Sequence, residues 1–228
     1  MPSEADRVAA LLDAQRQAAA LFVRIEQSLI RPGISESQLT REIAELGRSE
    51  FGIVQNWHKR IVRAGPNTLE PYDENPPDLT IGADDILFVD LGPVFEAWEA
   101  DFGRSYVLGN DPHKLRLRDD VAAAFAAGKK YFQDHPHITG SELYAYVHQL
   151  AQDAGWEFGG KLAAHMIGEF PHKSLPVDRA VAWADAGNHT PMRGLDPLGR
   201  ERHWILEIHF VDRLRRIGAF YEELLTVG

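Results

Sequence analysis

An acidic residue closes the most strand-like segment of this chain. Ile86-Leu87-Phe88-Val89 is a short, nearly continuous apolar run of the kind a buried strand needs, and Asp90 follows where another hydrophobe would be expected. Asp101 stands 11 positions on, a separation that a turn and a returning strand can fold back. The pattern recurs near the C-terminus. Glu207 lies within Trp204-Ile205-Leu206-Glu207-Ile208, and Glu222 comes 15 positions later, ahead of Leu224-Leu225. Each acid taken singly reads as a solvent-facing strand residue; four in two hairpin-like segments point to one site. Carboxylates cannot fill such a site alone, because like charges ~4 Å apart repel by about 4 kcal/mol at an effective dielectric of about 20. Either some protonate or a cation lies among them. Hard divalent cations are the natural counter-charge, and one imidazole shifts the preference from Mg or Ca toward Mn, Fe, Co or Zn. The candidate imidazole is His165, in Ala163-Ala164-His165-Met166-Ile167-Gly168, with His172 seven residues on.

The remaining pattern mixes helices and strands. Val8, Leu11, Leu12, Ala19, Phe22 and Ile25 predict a helix over 4–30, stopped by Arg31-Pro32-Gly33. Ser35 with Gln38 is a capping-box pattern opening a second helix to about Ser49. Ile53-Val54 and Ile61-Val62 read as strands, Asn67 to Pro77 as a loop, and 95–99 and 103–108 as strands after the Leu91-Gly92-Pro93 turn. Helical spacing returns over 113–132, and Thr139 with Glu142 caps a helix to about Asp153. Residues 156–203 read as irregular, and the segments 204–210 and 218–227 as strands around the basic Arg213-Leu214-Arg215-Arg216. With 228 residues and no linker, repeat or low-complexity stretch, the expectation is one α+β domain over 1–228.

Composition removes whole classes. The absence of Cys excludes disulfide scaffolds, thiolate zinc sites and thiol nucleophiles. A net charge of −10 disfavours nucleic acid as a partner. An acidic start without an apolar core segment argues against a signal peptide, and no apolar run approaches the ~18 residues of a membrane span; a soluble, cytoplasmic protein is expected. Gly155-Trp156-Glu157-Phe158-Gly159-Gly160-Lys161-Leu162 nearly matches a phosphate-binding loop, but the hydroxyl residue after Lys161 is missing and no strand precedes it. His135 and His137 read as loop residues, and no Gly-x-Ser-x-Gly motif occurs.

These residues resemble the pita-bread metallopeptidases, the family of methionine aminopeptidase, Xaa-Pro aminopeptidase, prolidase and the creatinase relatives. Asp90-Leu91-Gly92 with Asp101-Phe102-Gly103-Arg104-Ser105 is similar to the family's Asp-x-Gly … Asp-x-x-Arg-Thr hairpin. His165-Met166-Ile167-Gly168 with His172 resembles its His-Gly-Ile-Gly-x-x-x-His segment, Leu206-Glu207 its Ile-Glu-Pro strand, and the segment 218–223 the strand bearing the last metal-binding Glu. The resemblance implies a curved antiparallel sheet flanked by helices and two divalent ions (Mn, Co, Fe or Zn). Their ligands would be Asp90, Asp101, His165, Glu207 and Glu222. Asp101 and Glu222 would bridge the ions, Glu207 would also shuttle protons, and His172 would stabilise the tetrahedral intermediate or its leaving group.

Three departures bear on the substrate. The family's His in the loop before the first Asp is absent from Leu69-Glu70-Pro71-Tyr72-Asp73, leaving Tyr72 and the nearby His58 as substrate-contacting candidates; His58 reads equally as a rim residue without function. Met166 replaces a Gly beside the metal-binding His. Ile208 and His209 replace the Pro segment, and strand alternation puts His209 on the Glu207 face, as a third substrate-binding candidate. The extra N-terminal domain of prolidase and creatinase is not expected. The leading expectation is an aminopeptidase or Xaa-Pro peptidase-like hydrolase using a metal-bridging hydroxide, acting on a small peptide or small molecule, with a homodimer left open. A non-peptide C–N hydrolase or lyase on the same metals, and an inactive binding homologue, are the alternatives. The altered pocket predicts weak processing of Met-initiated peptides.

Overall fold

The computed structural model describes residues 2–70, 72–174 and 178–227. Its strands are β1 (Ile61–Ala64), β2 (Ile86–Leu91), β3 (Val94–Phe95), β4 (Trp98–Glu99), β5 (Phe102–Val107), β6 (Glu157–Phe158), β7 (Ala164–Ile167), β8 (Trp183–Ala184), β9 (His203–Asp212) and β10 (Ile217–Leu224). The helices are α1 (Glu4–Ser28), α2 (Glu36–Phe51), α3 (Pro112–Asp134), α4 (Gly140–Asp153) and the short α5 (Arg179–Ala182). An antiparallel sheet runs in the order β1-β2-β5-β10-β9-β7-β8, with β6 on β9, while β3 and β4 form a separate hairpin.

Strand alternation sorts the two faces of this sheet. Leu87, Val89 and Leu91 turn into one core with Ala18, Leu21, Phe22 and Ile25 of α1 and Leu39 and Ile43 of α2. Leu206, Ile208 and Phe210 turn into a second core with Leu117, Val121 and Phe125 of α3 and Leu143 and Val147 of α4. Each such side chain gains roughly 1.5–3 kcal/mol on burial, so the helices settle on that face. The residues between them, Phe88, Asp90, Glu207 and His209, face the other way.

The helix ends follow their caps. Ser3 and Asp6 form a reciprocal capping box at α1, as Thr139 and Glu142 do at α4. Ser35 caps α2 by accepting from Gln38 N–H, but the Gln38 side chain bonds Glu42 rather than closing a box. The expected strand at Ile53-Val54 does not form. Gly52 ends α2 in the left-handed conformation, Ile53 N–H bonds back to the Gly47 carbonyl, and Val54 is exposed. Ile53 is thus the apolar contact of a helix C-cap. The stretch 156–203, expected to be irregular, instead supplies β6, β7, β8 and α5 among its described residues.

Candidate metal centre

The sheet register gathers the acids into a row. Asp90 stands opposite Gly103 across β2–β5, Gly103 opposite Glu222 across β5–β10, and Glu222 opposite Glu207 across β10–β9. Residues directly opposite share a face. Asp101, two positions before Gly103, joins that face, and so does His165, which pairs with Ile205 two positions before Glu207. Gly103 holds the row open: a Cβ there would lie 2.6 Å from the Phe220 ring and 3.0 Å from Glu222 Cβ. Arg104 fastens the same strands from the other face. Its guanidinium stacks 3.8 Å from the Phe102 ring centre and 3.6 Å from that of Tyr221, bonds the Glu222 carbonyl at 2.9 Å and pairs with Glu223.

Two ligand triads share Asp101. His58, Asp90 and Asp101 form one; Asp101, His165 and Glu222 form the other; within each, one ligand atom per residue lies within 4.8 Å of the rest. Asp101 Oδ1 is 3.0 Å from His58 Nε2, and its Oδ2 is 3.1 Å from His165 Nε2. His165 also reaches Glu222 Oε1 at 3.4 Å. Glu207 lies on the same cavity wall, opposite Glu222 in register, but its carboxylate belongs to neither triad.

Burial and mutual repulsion set the electrostatics of the cluster. Burial, with the surrounding carboxylates, lifts Asp90 and Glu222 well above the usual carboxylate range, and burial lifts Glu207 to about 7. For Asp101 burial works upward, but the charge of His58 and the hydrogen bond from His165 outweigh it and hold the group at about 2. Burial opposes the charged imidazoles, yet Asp101 and Asp90 raise His58 to about 9, and Asp101 and Glu222 raise His165 well above its ordinary value. Among the described residues, Asp90 Oδ1 is buried without a hydrogen-bond partner, an omission costing roughly 1–3 kcal/mol if nothing else binds it. An orphaned carboxylate oxygen amid oxygen and imidazole donors fits a divalent transition metal.

The other predicted residues fall around this cluster. His172 lines the same cavity, its backbone N–H donating to Glu99 Oε1 at 3.1 Å and its Nδ1 bonding Glu99 Oε2. Glu99, buried and two positions before Asp101, was not singled out from the sequence; an acid at that offset on an extended segment was the available signal. Trp57 was missed too, and its ring lies 4.5–5.5 Å from those of His58, His165 and His172. His58 is no rim residue: its side chain is 4% exposed and sits against the acids. Tyr72 faces His58 edge-on at 5.8 Å; its neighbour Pro71 lies outside the described residues. His209 is on the Glu207 face and borders the cavity, but its Nε2 bonds the Thr68 carbonyl at 2.8 Å between the rings of Phe88 and Phe220. The cavity holds about 510 Å³. No described helix is long and apolar enough to cross a membrane.

Similar architecture occurs in solved structures. A prolidase from Thermococcus sibiricus matches at a TM-score of 0.77 with 19% identity, covering 98% of this chain and 56% of its own. An X-Pro aminopeptidase from Thermotoga maritima MSB8 matches at 0.76 with 19% identity, covering 100% and 63%. The fold is therefore the pita-bread fold. By sequence, an Xaa-Pro dipeptidase from Lactobacillus delbrueckii subsp. lactis is 27% identical over 144 residues, 61% of this chain and 36% of that protein. One from Lactobacillus helveticus is 26% identical over 150 residues, 63% and 39%. The chain thus spans under two-fifths of the length of these relatives in the matched regions. The model of Metallopeptidase family M24 matches residues 9–194, a segment that includes Asp90, Asp101, His165 and His172 and stops short of Glu207 and Glu222. With the two last acids supplied by β9 and β10 in the same row, the chain belongs to metallopeptidase family M24.

Proposed function

We propose that residues 1–228 form one catalytic unit of a dinuclear metal-dependent peptidase that cleaves Xaa-Pro bonds. The observation carrying this reading is the sharing of Asp101 between two triads, one oxygen toward His58 and the other toward His165. Asp90, Asp101, His165 and Glu222 would hold the ions, with Glu207 completing the set from the neighbouring strand. Two bound divalent ions supply Lewis-acid polarisation of a carbonyl and a water acid enough to lose its proton near neutral pH. Glu207, on the same cavity wall and opposite Glu222 in register, would be the carboxylate that accepts that proton and returns it to the leaving nitrogen. His172, its Nδ1 fixed by Glu99, is oriented to hydrogen-bond the substrate from the cavity wall. The substrate class follows from the walls and the relatives together. Trp57, Tyr72, Phe88 and Trp183 give the cavity aromatic surface suited to a pyrrolidine ring, and the relatives named above are Xaa-Pro dipeptidases, a prolidase and an X-Pro aminopeptidase.

The test is hydrolysis by metal-depleted chain reloaded with Mn or Co, using Ala-Pro, Ala-Pro-Ala, Met-Ala-Ser and small amidino compounds. Metal-dependent cleavage of the proline substrates is expected, with weak turnover of Met-Ala-Ser. Asp101→Ala should lose metal and turnover together, whereas His172→Ala should keep metal and lose turnover. A preference for Met-Ala-Ser would overturn the proline assignment, and cleavage of the amidino compounds alone would make this a non-peptide hydrolase. Equal metal loss in both variants would make His172 a ligand.

A further inference from the structure

We propose that His58 is itself a metal ligand, binding through Nε2 the ion held between Asp90 and Asp101, so that each of the two subsites contains one imidazole. The inference rests on the dinuclear reading above and adds a donor to its five.

Four observations carry it. His58 Nε2 lies 3.0 Å from Asp101 Oδ1 and 3.5 Å from Asp90 Oδ1, the oxygen that has no hydrogen-bond partner among the described residues. On the other side of the ring, Nδ1 is 2.7 Å from the Lys59 carbonyl. A carbonyl only accepts, so Nδ1 keeps its proton, and a cation that takes the place of the Nε2 proton facing Asp101 meets the Nε2 lone pair at the cluster. That is the arrangement an outer-shell acceptor gives a metal-bound histidine. His165 repeats it, with Nδ1 3.0 Å from the Met166 carbonyl and Nε2 aimed at the second Asp101 oxygen.

The segment bearing His58 is also fixed before any ion arrives. Trp57 N–H bonds the Gly92 carbonyl at 2.8 Å, its indole N–H bonds the Ala100 carbonyl at 2.9 Å, and Asn56 bridges Pro93. Gly92, next but one after Asp90, leaves room for the ring: a Cβ there would fall 2.1 Å from His58 Cδ2. A site with carboxylates alone would suit Mg, Ca or Mn; an added imidazole moves it toward Fe, Co or Zn. His58 therefore bears on which metal the Asp90 subsite accepts.

The experiment is Co(II) titration of the metal-depleted chain by calorimetry. It is paired with proton NMR of the Co-loaded protein, in which each coordinated imidazole contributes one strongly shifted, exchangeable ring N–H signal. Wild type should bind two ions and give two such signals. His58→Gln should give one signal, with one of the two sites at least tenfold weaker and the other unchanged; His165→Gln should remove the other signal. Should His58→Gln not fold, Gly92→Ala, whose methyl would press on the His58 ring and on the Trp57 indole N–H beside it, displaces the same ring while keeping every donor side chain and should give the same loss. Two signals surviving in the folded variant, or cobalt affinity unchanged or tighter, would overturn the proposal and make His58 an internal cation that metal displaces. Wild type binding no cobalt would instead overturn the dinuclear reading itself.

Discussion

Replacing His209 with Gln isolates the energetic role of a histidine that the sequence placed among substrate contacts. In the fold, burial outweighs the bond to the Thr68 carbonyl and pushes the imidazole down to about 4 from its ordinary 6.5. Because the folded value is the lower one, the unfolded chain takes up a proton first as the pH falls. Stability from this residue is thus complete above 6.5 and is lost as the pH descends toward 4. Between pH 7.5 and 5 the loss integrates to about 2 kcal/mol. Gln can still donate to the Thr68 carbonyl but does not titrate, so His209→Gln should lack this increment. The assay is urea denaturation of metal-depleted wild type and variant at both pH values. Wild type should lose about 2 kcal/mol more than His209→Gln over that interval, with equal m-values. Equal losses would show His209 to be a solvated, titrating group open to the cavity.

Two further substitutions probe the site's framework. Gly103→Ala forces a methyl against the Phe220 ring and Glu222 Cβ; it should cost roughly 1–3 kcal/mol in thermal denaturation and lower bound metal, whereas normal metal content would show that the row tolerates displacement. Glu99→Gln removes the carboxylate that fixes His172; kcat should fall roughly 10–100-fold with metal content unchanged, and unchanged kcat would show that His172 needs no such support.

The four long helices were legible because their apolar spacing, caps and Pro or Gly stops agree with one another. α1 covers Glu4–Ser28 against an expected 4–30, and α3 covers Pro112–Asp134 against 113–132. The acid-bearing strands β2, β9 and β10 were legible from apolar runs that bury one face against helices. β7, which carries His165, was not: its four residues sit among Gly, Pro and His, and what makes Ala164–Ile167 a strand is pairing with β9, 36 to 42 positions away. The Ile53-Val54 error has the opposite origin, since two β-branched residues after a left-handed glycine serve a helix end rather than a ladder.

The alternation that puts Asp90, Glu207 and Glu222 on the face away from the helices is written in the residue order, and so is the absence of any thiol chemistry. Side-chain alternation and residue identity are local properties, readable without partners. The register that sets Gly103 between Asp90 and Glu222, the Glu99 carboxylate under His172, and the seat of His58 between two aspartates arise from the folded chain. Those depend on strand pairings across more than a hundred residues and on a loop pinned to Gly92 and Ala100. Backbone hydrogen bonds of that range leave no periodic trace in the sequence, because what selects them is the joint packing of elements that are remote along the chain.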